Sequence, residues 1–472
     1  MENSITDQIR AAIEASAPMT LAQIVSQEVR EFVRSPAFHE MELDERYYLS
    51  RSAVQQKVND FARRSNTKIE RPILRRLIEQ KTAFLLAKPF SIVTENTGYA
   101  DALNRLFDGS GLRRKLKGLV TDAVKYGIGF IQPYVDQNGA LSFMRLPARE
   151  VIPLWEDAEH ERLSGFIRFY PQTVYEGLRK REITHAELWM GDGVRYFISG
   201  SRGQEFSVDH EHGEEENDWI VPHLYFSGKA YNWERVPLIW LKYNDEELSL
   251  CYYLREMIDE LNWQNSVTAD TLRDVSKFIY VLRNYGGADL DEFVSDLRQS
   301  LAVKVDSDGG VDKLEAELNI DAVMKYLDNT RRDIYDFAAG VDTKDPDLGN
   351  ASGTAIQFRY MDLQNDCEAI GDSLQDSMRR LKSFLDGYLA MTGAGDFSGE
   401  TFSLLYNMDL PVNETEVIGN IRASEGVISH RTQLENHPWI KDADTELERL
   451  RKEREEQESD IGTFLTSEEA DE

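Results

Sequence analysis

Apolar residues recur at helical spacing along most of the chain and at strand spacing in one central stretch. Residues 5–34 predict a helix pair broken near Pro18. Residues 47–64 are polar with a helical rhythm, ended by Asn66-Thr67-Lys68. Ile73, Leu74, Leu77, Ile78, Ala83, Phe84 and Leu85 mark an amphipathic helix over 71–86, with Pro72 at its start and Lys88-Pro89 as its stop. Residues 91–94 read as a short strand, and 101–107 and 112–126 as two more helices. The second is basic at Arg113, Arg114, Lys115 and Lys117, a run that fits a solvated helix face. Residues 130–135 and 140–145 flank Asp136-Gln137-Asn138-Gly139, and Asn-Gly is a strong hairpin signal. Strand character continues over 151–155, 165–170, 186–190, 195–198 and 237–242, so this part is expected to be a mixed domain with an antiparallel sheet.

After Asn244 the period changes. Leu250, Leu254, Met257, Ile258 and Leu261 share one helical face, and the pattern predicts a helix over 246–276. Some thirty residues at 1.5 Å each span about 45 Å, against a radius of gyration of about 23 Å for a globule of this length. Such a helix is a strut. A strand over 278–282, a short helix over 290–297, a strand over 301–305 and a turn at Asp306-Ser307-Asp308-Gly309-Gly310 predict a small α/β insert. A second helix over 320–338 carries Ile320, Val323, Met324, Leu327, Ile334 and Phe337 on one stripe, so two helices flank the insert. Residues 340–353 are rich in Gly, Pro, Asp and Asn, which opposes regular structure, and form a long connection of the kind that is usually functional or mobile. A third long helix over 354–391 has a near-heptad stripe of Leu363, Cys367, Ile370, Leu374, Leu381, Phe384 and Tyr388. A returning strand from Phe402 towards Pro411, helices over 414–425, 431–435 and 446–458, and an acidic, disordered tail after Ile461 complete the chain. No internal repeat is visible. The fold class expected is α+β, mainly helical.

Composition narrows the function. The 472 residues include 54 Lys and Arg against 84 Asp and Glu, a net charge of −30. That balance opposes a protein that grips nucleic acid over its whole surface, but does not exclude one past which DNA slides without sticking. With 41% hydrophobic residues the chain has material for a real core. Cys251 and Cys367 alone make no disulfide framework and point to a reducing compartment. No signal peptide is expected from residues 1–10, and no window approaches the roughly 18 apolar residues of a membrane span.

Catalytic signatures are missing. There is no phosphate-binding loop, no H-E-x-x-H and no G-x-S-x-G, while Gly127-Ile128-Gly129 lacks a third glycine and precedes a strand. Asp306, Asp308 and Glu317 have part of a calcium-loop spacing, but Gly310 and Val311 break it, and Asp345-Pro346-Asp347 fails similarly with Ile356 in the last place. The cluster from His210, Glu211 and His212 to Glu216 fits a solvated loop better than a metal site, because no further ligand is placed by spacing. No cofactor or metal is expected. A hydrolase built on that cluster and a structural adaptor without a channel remain as rivals to the reading below.

Several strings, in order, resemble one family. They are the segment 80–92 with Leu85-Leu86-Ala87-Lys88-Pro89-Phe90, Tyr126-Gly127-Ile128-Gly129-Phe130 leading into the Asn138-Gly139 hairpin, and the run from Arg145-Leu146-Pro147 to Ile152-Pro153-Leu154-Trp155-Glu156-Asp157. Residues 335–341 followed by Gly349-Asn350-Ala351-Ser352-Gly353, and Asn436-His437-Pro438-Trp439, continue the series. Over about residues 25–460 the chain is similar to the portal proteins of tailed double-stranded DNA bacteriophages, of the kind common in long-tailed phages of Gram-positive hosts. It departs mainly in the insert and the acidic tail.

The resemblance implies an N-terminal arm (1–24), an α/β wing (25–245), two stem helices (246–276 and 320–339) and a clip (277–319) between them. A tunnel loop (340–353), a long wing helix with its returning strand (354–410), a helical crown (411–460) and the tail (461–472) follow. It implies a ring of about twelve subunits around a DNA channel, at one capsid vertex of the virion, assembled in the host cytoplasm. Its partners would be the terminase large subunit, a head-completion or adaptor protein, and the major capsid and scaffolding proteins, with double-stranded DNA held non-specifically and no membrane. Asp342, Lys344, Asp345, Asp347, Asn350 and Ser352 would line the channel. Lys325, Arg331 and Arg332 would face DNA, or else pair with Asp328, Asp333 or a neighbouring subunit. Arg283, Asn284, Tyr285, Asp291 and Arg298 would lie on the clip that docks partners.

Overall fold

Local capping sets most of the helix starts. Ser4 and Thr20 each form a reciprocal capping box, opening α1 (Ile5–Ile13) and α2 (Leu21–Arg34). Ser35 caps α3 (Pro36–Tyr48), whose first position takes Pro36 because that N–H has no helical partner anyway. α4 (Ile73–Leu86) follows Pro72 and leads to β1 (Ser91–Val93). Asn96 caps α5 (Thr97–Gly109), and glycines at positive φ bracket α6 (Leu112–Tyr126). The second of these, Gly127 at φ 84°, also has no room for a side chain, since a Cβ would sit 1.8 Å from the Glu247 carbonyl oxygen.

The computed structural model describes residues 4–14, 19–58, 65–176, 179–200, 205–209, 220–275, 279–283, 310–314, 319–344, 353–408, 414–440, 443 and 445–453. The strands in chain order after β1 are β2 (Ile128–Val135), β3 (Leu141–Leu146), β4 (Val151–Trp155), β5 (Leu163–Glu176), β6 (Arg179–Met190) and β7 (Gly193–Ser199). β8 (Ser207–Val208), β9 (Leu224–Phe226), β10 (Lys229–Tyr231) and β11 (Ile239–Lys242) follow. Then come α7 (Leu250–Val275), β12 (Ile279–Arg283), β13 (Gly310–Leu314), α8 (Ile320–Phe337), α9 (Gly353–Met391), β14 (Ser403–Leu405), α10 (Glu414–Ala423) and α11 (His430–Glu435).

The chain divides into two units, one of Met1–Gly340 with Asn365–Met408, the other of Val341–Gln364 with Asp409–Glu472. In the first unit, β4-β5-β6-β7-β8 form a five-stranded antiparallel sheet. α1 and α2 lay Ile9, Val25 and Val29 onto Ile167, Phe169, Leu188 and Phe197 of that sheet, because alternate strand residues point to one face. A three-stranded sheet, β11-β2-β3, carries a second core of Phe130, Leu146, Phe166 and Trp240. Residues Ile370, Leu374, Met378, Leu381 and Leu385 of α9 are fully buried, and Ser377 Oγ donates to the Trp240 carbonyl at 2.7 Å. In the second unit, Ser429 caps α11 and residues 445–453 are helical.

Several expectations need correcting. Of the helix expected over 47–64, Tyr47 and Tyr48 are the end of α3, residues 49–58 hold only a single 3-10 turn at Ala53–Gln56, and 59–64 lie outside the described residues. Lateral bonding competes there, since the Ser52 N–H donates to Glu70 Oε1 and the Ala53 N–H to Asp259 Oδ1 of α7 at 3.2 Å. Gly310 does not belong to a turn; it opens β13, which pairs with β12 some thirty residues earlier, a partner that local pattern cannot reveal. α7 starts four residues later than expected, because Asn244 Oδ1 accepts from the Leu248 N–H at 2.8 Å and Ser249 Oγ from the Tyr252 N–H at 3.0 Å, so 246–249 is a capped turn. The returning strand stops at Leu405. The helix expected over 290–297, the strand over 301–305 and the tail after Ile461 lie outside the described residues.

Candidate functional site

The site is the pair of long helices and what they carry. α7 has 26 residues, about 39 Å at 1.5 Å each, and packs along α8, where Tyr326 Oη donates to Glu260 Oε1 at 3.0 Å. At their far ends β12 and β13 pair antiparallel from Ile279↔Leu314 to Arg283↔Gly310, so a β-ribbon joins the two helices. The two long helices, the legs, thus flank this ribbon, as their apolar stripes predict.

Residues 65–71 bolt the first leg to the body. The strap runs antiparallel to α7, and alternate N–H groups donate to side chains one helical turn apart: Ser65 to Asp274 Oδ2 at 3.2 Å, Thr67 to Asp270 Oδ1 at 2.7 Å, Ile69 to Ser266 Oγ at 2.9 Å and Arg71 to Asn262 Oδ1 at 3.2 Å. Two extended residues rise about 6.6 Å and four helical residues about 6.0 Å, so the two repeats stay in step. On the other limb of the loop, Tyr47 Oη and the Ala53 N–H both donate to Asp259, and buried Lys57 pairs with Asp270. Burial alone would raise the Asp270 pKa, but hydrogen bonds from Lys57 and Thr67 outweigh it and hold the carboxyl below its usual range. At the root of α7, buried Asp44 accepts from Ser249 Oγ at 2.7 Å, and burial pushes its pKa up to about 7.

On α8, Leu327, Thr330, Ile334 and Tyr335 are buried. Lys325 and Arg332, seven residues apart, lie on the opposite, exposed face with Asp321, Asp328 and Asp336, so the charges alternate in sign along it. Arg331 is half-buried, its guanidinium 5.9 Å from the centre of the Tyr335 ring. Of the channel candidates, the Lys344 N–H donates to Asp342 Oδ1 at 3.0 Å, a local turn contact. Arg283 closes β12 opposite Gly310. Asp345, Asp347, Asn350 and Ser352, and Asn284, Tyr285, Asp291 and Arg298, lie outside the described residues, as does the cluster from His210 to Glu216.

Sequence reasoning did not find the strap, nor the buried lysine Lys81. That residue sits four positions after Leu77 and four before Leu85, both buried, so an ammonium occupies a place in the apolar stripe of α4. The interruption was a legible signal. Among the described residues no group of His, Cys, Asp and Glu is arranged to hold a metal ion, and no helix is long and apolar enough to cross a membrane.

A body of mixed helix and sheet, with two long helices joined by a small ribbon, defines an architectural class rather than a catalytic one. Comparison with known proteins gives the family: residues 37–460 match the model described as phage portal protein, SPP1 Gp6-like, and the chain belongs to that family. It is 28% identical over 426 residues to the portal protein of Bacillus phage SPP1, covering 89% of this chain and 82% of that one. It is 22% identical over 418 residues to the portal protein of Clostridium phage phiCD119, covering 84% of this chain and 87% of that one. The protein is therefore a structural, capsid-associated component of a phage particle, with a head-to-tail connector role, and not an enzyme.

Proposed function

We propose that about twelve copies close into a ring at one capsid vertex, and that double-stranded DNA enters and later leaves through its centre. The observation that carries the ring is the apolar surface left on the two legs. Tyr252, Trp263 and Val267 on α7, and Ile320, Met324 and Phe337 on α8, are exposed, Phe337 to 71%. Aromatic and aliphatic groups gathered on helices in this way mark an interface, and a heterologous interface that closes makes a ring.

In this reading twelve chains of charge −30 carry about −360, a wall that repels phosphate and keeps the duplex from adhering. Lys325 and Arg332, spaced among carboxylates, hold passing DNA only weakly. Residues 340–353 form the tunnel loop, the segment 277–319 the clip, and 411–460 the crown. The terminase large subunit, a separate ATPase, docks on the clip during packaging and a head-completion protein afterwards. Arg283, Asn284, Tyr285, Asp291 and Arg298 carry that docking. The ring is assembled in the host cytoplasm with the scaffolding and major capsid proteins.

The test is made on the loop. A cysteine at Asp345 should crosslink to the same position of a neighbouring copy if the loops crowd one axis, and Gly353→Pro should stall packaging while leaving assembly intact. Normal filling of heads with Gly353→Pro, together with no loop-to-loop crosslink, would remove the channel assignment.

A further inference from the structure

Lys81 is one of the largest fully buried side chains of the first unit, and the stem, strap and cores described above make no use of it. Its ammonium donates to Asp366 Oδ2 at 2.7 Å and to the Ala339 carbonyl oxygen at 3.4 Å. These two acceptors are distant in sequence but share one topological property. The chain leaves the first unit after Gly340 and re-enters it at Asn365. Ala339 is the residue before the exit, and Asp366 the residue after the re-entry.

Both ends are built around this contact. α8 finishes with the Ala339 N–H donating to the Asp336 carbonyl at 3.0 Å and the Gly340 N–H to the Tyr335 carbonyl at 2.8 Å, the paired bonds of a left-handed C-cap. The left-handed residue of such a cap is usually glycine, yet here it is Ala339 at φ 47°, with the glycine one place later. Gly340 is needed where it stands, because a Cβ there would lie 2.5 Å from Leu77 Cδ2, on the turn of α4 before Lys81. An ammonium donating to the Ala339 carbonyl holds the strained residue in place. On the re-entry side, Asp366 Oδ1 also accepts from Tyr243 Oη at 3.2 Å, and Cys367 Sγ donates to the Lys81 carbonyl at 3.6 Å.

We infer that Lys81 is a positioning residue, a buried clasp that fixes the separation of the exit and re-entry points of the segment Val341–Gln364. A lysine suits the task because one ammonium has three donors and reaches two acceptors from two elements at once. The clasp itself stands on the contacts above; only its consequence for packaging rests on reading residues 340–353 as the tunnel loop.

Hydrogen exchange of the full-length protein tests it in two variants. Lys81→Met breaks the clasp and leaves Asp366 without its cation. Lys81→Met/Asp366→Asn breaks the clasp but leaves no unpaired charge, and the asparagine oxygen still accepts from Tyr243, so its melting temperature should return close to that of the wild type. In both, amides 339–344 should exchange about ten-fold faster or more, and in the double variant this should persist despite the restored melting temperature. A merely structural role predicts that exchange recovers along with stability. Wild-type exchange at 339–344 in the double variant would overturn the inference, and the double variant carries the test alone if the single one does not fold. Faster exchange with unimpaired packaging would leave the clasp standing and count against the tunnel-loop reading instead.

Discussion

Asp270→Ala probes the strap that ties α7 to the body. Asp270 Oδ1 accepts from the Thr67 N–H at 2.7 Å, and its other oxygen pairs with Lys57, which is only 7% exposed. Removing one partner of a buried ion pair costs about 3–5 kcal/mol, and an orphaned N–H adds about 1 kcal/mol. Lys57 keeps part of its environment, since its ammonium is 3.4 Å from the Thr67 carbonyl and 5.9 Å from the centre of the Trp263 ring. The expected net loss is therefore about 3 kcal/mol. For a unit of this size the entropy of unfolding turns that into a fall in Tm of roughly 4 °C. Scanning calorimetry measures the shift, and Lys57→Met/Asp270→Leu is the control, because it removes both charges and should recover most of the loss. Amides of Ser65, Thr67, Ile69 and Arg71 should exchange faster in the single variant. A Tm within about 1 °C of the wild type, or a double variant no better than the single one, would refute the reasoning that this stripe of α7 holds the strap.

Four further variants have defined expected outcomes. Burial raises the Asp44 pKa from the usual 3.8 of an aspartate to about 7, so the folded state favours the neutral acid; stability from this residue is present at low pH and lost as pH rises from about 4 through 7, by at most about 4 kcal/mol. Asp44→Asn should match the wild type in Tm at about pH 4 and exceed it at pH 8, and parallel curves would contradict this. Gly127→Ala should destabilise the junction with the start of α7 by more than about 3 kcal/mol, whereas Ala339→Gly should raise stability by up to about 1 kcal/mol in chemical denaturation, because it relieves a positive φ. Replacing residues 277–319 by a short Gly-Ser linker should leave the wing folded by circular dichroism but abolish capture of motor and tail-side partners; unimpaired packaging would remove the clip assignment.

Much of the architecture was legible in the sequence because it is written in local period and local punctuation. The α8 stripe, the Asn138-Gly139 hairpin and the stop at Lys88-Pro89 each depend on residues a few positions apart, and the structure places β2, β3 and α8 within a few residues of expectation. What was not legible depends on partners far along the chain. Residues 65–71 carry no strand signal of their own and are extended only because Asn262, Ser266, Asp270 and Asp274, about two hundred positions later, supply acceptors in step. β13 is a strand because β12 lies beside it. Of the candidate site, the helical stripes of the two legs could be read in advance. Lys81 was visible as an interruption of an apolar stripe, but its meaning needed Ala339 and Asp366 beside it.

The central claim is that copies of this chain close around a channel. Single-particle electron microscopy of the purified protein at micromolar concentration tests it most directly, with native mass spectrometry on the same sample to count the copies. The expected particles are rings of about twelve subunits with a hole at the centre, wide enough for a DNA duplex. Particles of a single copy, or closed assemblies without a central hole, would contradict it.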